Sequence, residues 1–211
     1  MRDYTAYLFD ADGTLFDTTE MIYQCFKYTC KLFGNISVTR DQVFKNIGIP
    51  LKTQFEYFFG TLSNDHAEKI MKTHMEYQLS IFKKYLCLFP GVAETIQLLN
   101  KNGKKLAVVT SRRMDSLTIY LKYTNIYHLF DVLITPESTE KHKPLPEPAF
   151  EALKQLNCKN SEALFIGDAT FDIECGERAG MDTAFVAWSK NTPSSLTVKP
   201  TYIVSDIREL V

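Results

Sequence analysis

The chain has 211 residues, 45% of them hydrophobic and 23% charged, with only 9 Gly and 8 Pro; this excludes a disordered or collagen-like chain and suffices for one sizeable core, with or without a smaller companion. Twenty-four Lys and Arg oppose 25 Asp and Glu for a net charge of −1, so no global field gathers nucleic acid or an anionic membrane, and an anionic ligand needs a local site. No apolar run reaches the ~18 residues of a membrane span, the N-terminus lacks a signal-peptide layout, and five cysteines without a C-x-x-C spacing suit buried thiols, so a soluble cytoplasmic protein without a zinc site is expected.

The first predicted element is a strand from Tyr4 to Phe9, and it runs directly into Asp10-Ala11-Asp12-Gly13-Thr14. The two-residue period of a strand puts the Asp10 and Asp12 side chains on the same side at its C-terminal end. From about Thr18 to Tyr85 the pattern becomes helical, with apolar positions at Ile22, Cys25, Phe26, Thr29 and Phe33, then Ile70, Met71, His74, Met75, Leu79 and Phe82,. No strand is expected there, and the block ends at the Pro90-Gly91 turn,. It reads as a helical domain inserted after the first strand, so that the α/β core comprises residues 1–17 and 86–211 and the insert 18–85.

Beyond the insert, strands are expected at Leu106 to Thr110, Val132 to Thr135, Ala163 to Ile166, Thr183 to Ala187 and Tyr202 to Val204,. Between them, Val92, Ile96 and Leu99 mark a helix closed at Asn102-Gly103, and Phe150, Leu153 and Leu156 mark another opening after Pro146-Glu147-Pro148,. Alternation of this kind predicts an α/β fold with a parallel sheet covered on both faces.

Polar clusters recur where these strands stop. Thr110-Ser111-Arg112 ends the second core strand, Lys143 precedes Pro144, and Gly167-Asp168-Ala169-Thr170-Phe171-Asp172 follows the fourth. Ligands of open α/β sheets bind at that edge. Carboxylates brought together there repel one another unless a cation intervenes, and hard oxygen donors with an open coordination sphere suit Mg²⁺. A hydroxyl and a lysine beside them suit phosphate. His66, His74, His128 and His142 share no ligand spacing,, and Trp188 is expected to pack rather than react.

These clusters resemble, in order, the four motifs of the haloacid dehalogenase-like hydrolase superfamily, of the phosphoglycolate phosphatase and β-phosphoglucomutase type. D-x-D-G-T matches Asp10 to Thr14, the strand-ending Ser or Thr matches Thr110, the Lys before Pro matches Lys143, and G-D-x-x-x-D matches Gly167, Asp168 and Asp172. The resemblance covers essentially the whole chain, and that family carries a helical cap where the insert lies. It implies a Rossmann-like three-layer core with an α-helical cap and a Mg²⁺-dependent phosphatase acting on a small phosphate monoester through an aspartyl-phosphate. It also implies roles: Asp10 as nucleophile, Asp12 as acid and base, and Mg²⁺ held by Asp10, Asp168 and the backbone carbonyl of Asp12. Thr110, Ser111 and Lys143 would hold phosphoryl oxygens, backbone N–H groups near Ala11 and Ser111 would add to that cradle, and Asp172 would orient Lys143 or the metal's water.

Alternatives within the resemblance are a sugar-phosphate mutase and an inorganic pyrophosphatase; a catalytically weak binding protein is disfavoured by the intact motif set. A dehalogenase needs neither a metal nor a leaving-oxygen acid, so Asp12 and Asp168 point away from it. The segment Gly48-Ile49-Pro50-Leu51-Lys52 resembles a family cap loop, which makes Lys52 a candidate for meeting a second anionic group of the substrate. The expected partner is a small phosphorylated metabolite rather than nucleic acid or membrane, and the sequence leaves the oligomeric state open.

Overall fold

The computed structural model describes residues 1–47 and 51–211. In chain order the elements are β1 (Ala6–Phe9), β2 (Phe16–Asp17), α1 (Thr19–Gly34), α2 (Arg40–Phe44), α3 (Leu51–Phe59), α4 (Asn64–Tyr85), β3 (Cys87–Leu88), α5 (Val92–Lys101), β4 (Lys105–Val109), α6 (Met114–Tyr123), β5 (Val132–Ile134), α7 (Glu147–Leu156), β6 (Ala163–Gly167), α8 (Thr170–Arg178), β7 (Asp182–Val186) and β8 (Tyr202–Val204). They gather into two compact units, Met1–Asp17 with Cys87–Val211, and Thr18–Leu86. None of the described helices is long and apolar enough to cross a membrane.

The larger unit is built on a six-stranded sheet in the order β5-β4-β1-β6-β7-β8, with every pairing parallel. Its strands are apolar on both faces because both are covered. Ala6 and Leu8 face a cluster with Ala149, Ala152, Leu153 and Leu156 of α7 and Cys175 of α8. The alternate residues Tyr7 and Phe9 are equally buried on the opposite face, where the Tyr7 hydroxyl donates to the Leu210 carbonyl at 3.5 Å and the Phe9 ring meets Phe130 edge-on at 6.3 Å. The strand order places β1 at the centre, between β4 and β6. Succession along the chain moves one way from β1 through β4 to β5 and the other way from β6 onward, so a crevice opens beyond the C-terminal ends of β1 and β6.

Two expectations of sidedness need correction. Phe150, read as part of the buried stripe of α7, is 48% exposed; the buried face runs through Ala149, Ala152, Leu153 and Leu156. On α4, Leu79 is likewise exposed, and the buried row is Ile70, His74, Gln78 and Phe82. That row has a strict four-residue spacing; the sequence pattern includes His74, and Gln78 is the member that hydrophobicity alone passes over.

Every element described in the smaller unit is a helix. Phe26 and Cys30 of α1, Val43 of α2, Phe55 of α3 and Ile70 of α4 share one core. Two polar groups inside it satisfy each other: Thr29 Oγ1 donates to the Cys25 carbonyl at 2.8 Å and lies 3.1 Å from His74 Nδ1. The His74 ring is flanked by Phe26 and Phe55 at 4.9 and 5.1 Å, a packing role.

β2 and β3, too short to register in the sequence pattern, pair antiparallel with Phe16 opposite Leu88 and Asp17 opposite Cys87. They are the last residues of the larger unit before the chain leaves it and the first after it returns.

Candidate active site

Each polar cluster of the sequence falls at the C-terminal end of a strand because the parallel sheet carries all its strand ends to one edge. Asp10 follows β1 and is tied to β6 by its N–H, which donates to the Ile166 carbonyl at 2.8 Å. Thr110 follows β4 and donates its N–H to Ile134 of β5 at 3.0 Å, while its Oγ1 accepts the Arg112 N–H at 3.1 Å. Asp168 follows β6. Asp10, Thr110 and Asp168 are all buried, whereas Ser111 is exposed.

Lys143, in the segment before α7, ties these ends together. Its Nζ donates to Asp10 Oδ1 at 2.6 Å, to Asp172 Oδ1 at 2.6 Å and to the Val109 carbonyl at 3.1 Å. Burial works against the ammonium, but the two carboxylates outweigh it and raise the lysine pKa, so Lys143 stays charged. Asp172 in turn accepts the Asp168 and Ala169 N–H groups through Oδ2, at 3.2 and 3.0 Å. It therefore closes the N-terminus of α8 while it orients Lys143.

Two glycines make this convergence sterically possible. At Gly13, with φ of +89°, a Cβ would lie 2.3 Å from Asp168 Oδ2; at Gly167 it would lie 2.2 Å from the Asp172 Cβ. Any side chain at either position would displace a carboxylate.

Oxygens of Asp10, Asp168 and Asp172 lie within 4.8 Å of one another, all three residues buried. Burial is the main cause that lifts the Asp10 carboxyl to about 7, with Lys143 opposing and Asp172 and Asp12 adding to it. Burial also holds Asp168 well above the usual carboxylate range, reinforced by Asp172 and Asp10. Carboxylates whose ionisation is penalised in this way fit a hard divalent cation, which restores the charged form. Asp172 is already committed to Lys143 and two N–H groups, so Asp10 and Asp168 are the pair best disposed to hold one.

The sequence singled out Asp10, Asp12, Thr110, Ser111, Lys143, Asp168 and Asp172; apart from Ser111, these are the buried or half-buried groups at the strand ends. Two further contributors were not assigned a role. Arg112 grips Asp12, with Nε to Oδ2 at 2.9 Å and Nη2 to Oδ1 at 2.7 Å. Asn191, in the loop after β7, donates from Nδ2 to Asp168 Oδ2 at 3.0 Å. Position beyond a strand end was the available signal for both. Trp188 packs as expected, its Nε1 donating to the Thr14 carbonyl at 3.2 Å. Lys52 lies in the smaller unit at the start of α3, where Nζ donates to Asn64 Oδ1 at 3.0 Å and stands 4.0 Å from Glu56. Gly48, Ile49 and Pro50 of the same segment lie outside the described residues.

Residues 7–186 match the family model of haloacid dehalogenase-like hydrolases. The chain is 32% identical to a protein of Bacillus velezensis named pyrophosphatase PpaX, over 98% of this chain and 94% of that one. Among solved structures it resembles a haloacid dehalogenase-like family hydrolase of Streptococcus pneumoniae, at 25% identity and a TM-score of 0.85 over 100% and 98% of the two chains. It shares its fold with a β-phosphoglucomutase of Clostridium difficile, at 19% identity and a TM-score of 0.85 over 99% and 93%. The chain belongs to the haloacid dehalogenase-like hydrolases. Within that family it is an enzyme of the phosphatase type.

Proposed function

We propose that this enzyme hydrolyses a small phosphate monoester with Mg²⁺ through an aspartyl-phosphate on Asp10. The observation that carries the reading is the buried meeting of Asp10, Asp168 and Lys143 at the sheet edge. Asp10 attacks phosphorus and the bond to the leaving oxygen breaks, while Asp12 gives that oxygen its proton. Asp12 then accepts a proton from the water that attacks the acyl phosphate, which releases inorganic phosphate and regenerates Asp10. Lys143 fixes Asp10 Oδ1 and, with Thr110, counters charge on the phosphoryl oxygens. Asp10, Asp168 and the Asp12 carbonyl would hold Mg²⁺, which would supply positive charge against the repulsion between an anionic nucleophile and an anionic substrate. The smaller unit is proposed as the cap that selects the remainder of the substrate.

The test is Mg²⁺-dependent release of phosphate from a panel of phosphorylated metabolites. Turnover is expected to vanish with chelator, return with Mg²⁺ and fail with Ca²⁺, whose larger and looser coordination shell misplaces the nucleophile. Asp10→Asn is expected to retain the fold by circular dichroism and lose turnover by more than a hundredfold; activity within tenfold of the parent would refute the nucleophile assignment. The Bacillus relative named as a pyrophosphatase, similar over nearly its whole length, places pyrophosphate in the panel as a second reading, and product analysis separates hydrolysis from a mutase reaction.

A further inference from the structure

Asp12 is the proposed acid for the leaving oxygen, yet both of its carboxylate oxygens are held by the Arg112 guanidinium, at 2.9 and 2.7 Å. The arginine is well supported in that position. Its side chain is 7% exposed, it lies over the Tyr120 ring at 4.4 Å, and its Nη1 donates to Ser116 Oγ at 3.4 Å. As the acid, Asp12 must carry a proton on one of those oxygens, and a carboxyl in that form is a weaker partner for the guanidinium, so delivery of the proton favours loosening of this double contact.

Parting it has very different costs for different substrates. Arginine keeps its charge under all working conditions, and a buried guanidinium without a counter-anion is strongly disfavoured. A substrate with a neutral leaving group offers nothing to take the place of Asp12. One whose leaving group carries a carboxylate or a phosphate presents another two-oxygen acceptor to the same planar donor fork. Arg112 touches the very carboxyl that the proposed mechanism sends to the leaving oxygen, so a leaving group served by Asp12 would come within reach of the same guanidinium.

We propose that Arg112 is a latch on Asp12 that a second anionic group of the substrate releases, so that the enzyme selects phosphate esters or anhydrides whose leaving group is itself anionic. The inference rests on the phosphatase reading and narrows its substrate class. Arg112 is in these terms a positioning residue for Asp12 and a reader of the second anion.

The experiment compares phosphoglycolate with its neutral carboxamide, and adds p-nitrophenyl phosphate as a reporter of phosphatase chemistry. In the parent, kcat/KM for the carboxylate is expected to exceed that for the amide by at least tenfold. In Arg112→Met that ratio should fall to within about threefold of one, and Arg112→Lys, which keeps a charge but not the fork, should give an intermediate ratio. A merely structural arginine would lower both esters alike and leave the ratio where it was, which would overturn the proposal. A parent ratio below three overturns it without any variant, so a failure of Arg112→Met to fold does not shield it. Parent turnover of p-nitrophenyl phosphate with an unchanged ratio refutes the latch alone; no Mg²⁺-dependent turnover of that ester refutes the phosphatase reading with it.

Discussion

Between about pH 4 and pH 7 Asp10 in the metal-free fold tends to keep a proton that an unfolded chain has given up, because burial lifts its pKa from the ordinary 3.8 to about 7 against the pull of Lys143. A native state that binds more protons than the unfolded one loses stability as pH rises. The contribution is complete below about pH 4 and is lost as pH passes through 7, and Asp168, raised for the same reason, acts in the same direction. In chelator, the melting temperature is therefore expected to fall between pH 5 and pH 8. Mg²⁺ binds the ionised form, so its stabilising effect should be larger at pH 8 than at pH 5; thermal unfolding at both values checks this, and an equal metal effect at both would argue against Asp10 and Asp168 as the ligand pair. Gly13→Ala gives a second test at this scale. A methyl group 2.3 Å from Asp168 Oδ2, on a backbone with φ of +89°, is expected to weaken Mg²⁺ binding measured by calorimetry by at least tenfold and to destabilise the fold by about 1–3 kcal/mol. The carboxylates, Thr110 and Lys143 were legible in the sequence because each stands beside a strand end or a turn residue with a readable pattern. Arg112 and Asn191 were not assigned: each lies beyond a strand end, but neither stands in a motif or turn pattern of its own, and position alone does not announce partners 100 and 23 residues away.

The helices test how far periodicity specifies a buried face. On α7 the residues against the sheet include Ala149 and Ala152, both fully buried, while the larger Phe150 points outward. Small residues let the helix approach β4 and β5, where it packs; a bulky side chain draws attention in a sequence, whereas an alanine does not. Ala152→Leu is therefore expected to destabilise by about 1–3 kcal/mol through overpacking. Phe150→Ser should change stability by less than about 0.5 kcal/mol. Urea unfolding of the two variants decides the matter, and the reverse order would mean that the helix is rotated from the orientation described here. The six sheet strands were readable because each is a short apolar run, and α1 and α4 because a helical period persists over many residues. β2 and β3, with two residues each, have no period to detect, and they follow from pairing across the chain.

That small antiparallel pair defines how the molecule is connected. Asp17 and Cys87 stand opposite each other, which places their Cα atoms about 4.5–5.5 Å apart, while the 69 residues of Thr18–Leu86 lie between them in sequence. A gap of that size is what a two-residue hairpin turn spans. Replacing residues 18–86 with Asn-Gly is thus expected to leave a chain that folds around the six-stranded sheet, with a cooperative thermal transition and an α/β circular dichroism spectrum; a non-cooperative melt would show that the sheet unit depends on the helical one. The larger unit has the topology of an uninterrupted α/β domain opened at a single hairpin. Its helical unit is in effect a side branch, free to be lengthened, exchanged or rebuilt without altering the register of any strand that carries Asp10, Thr110 or Asp168.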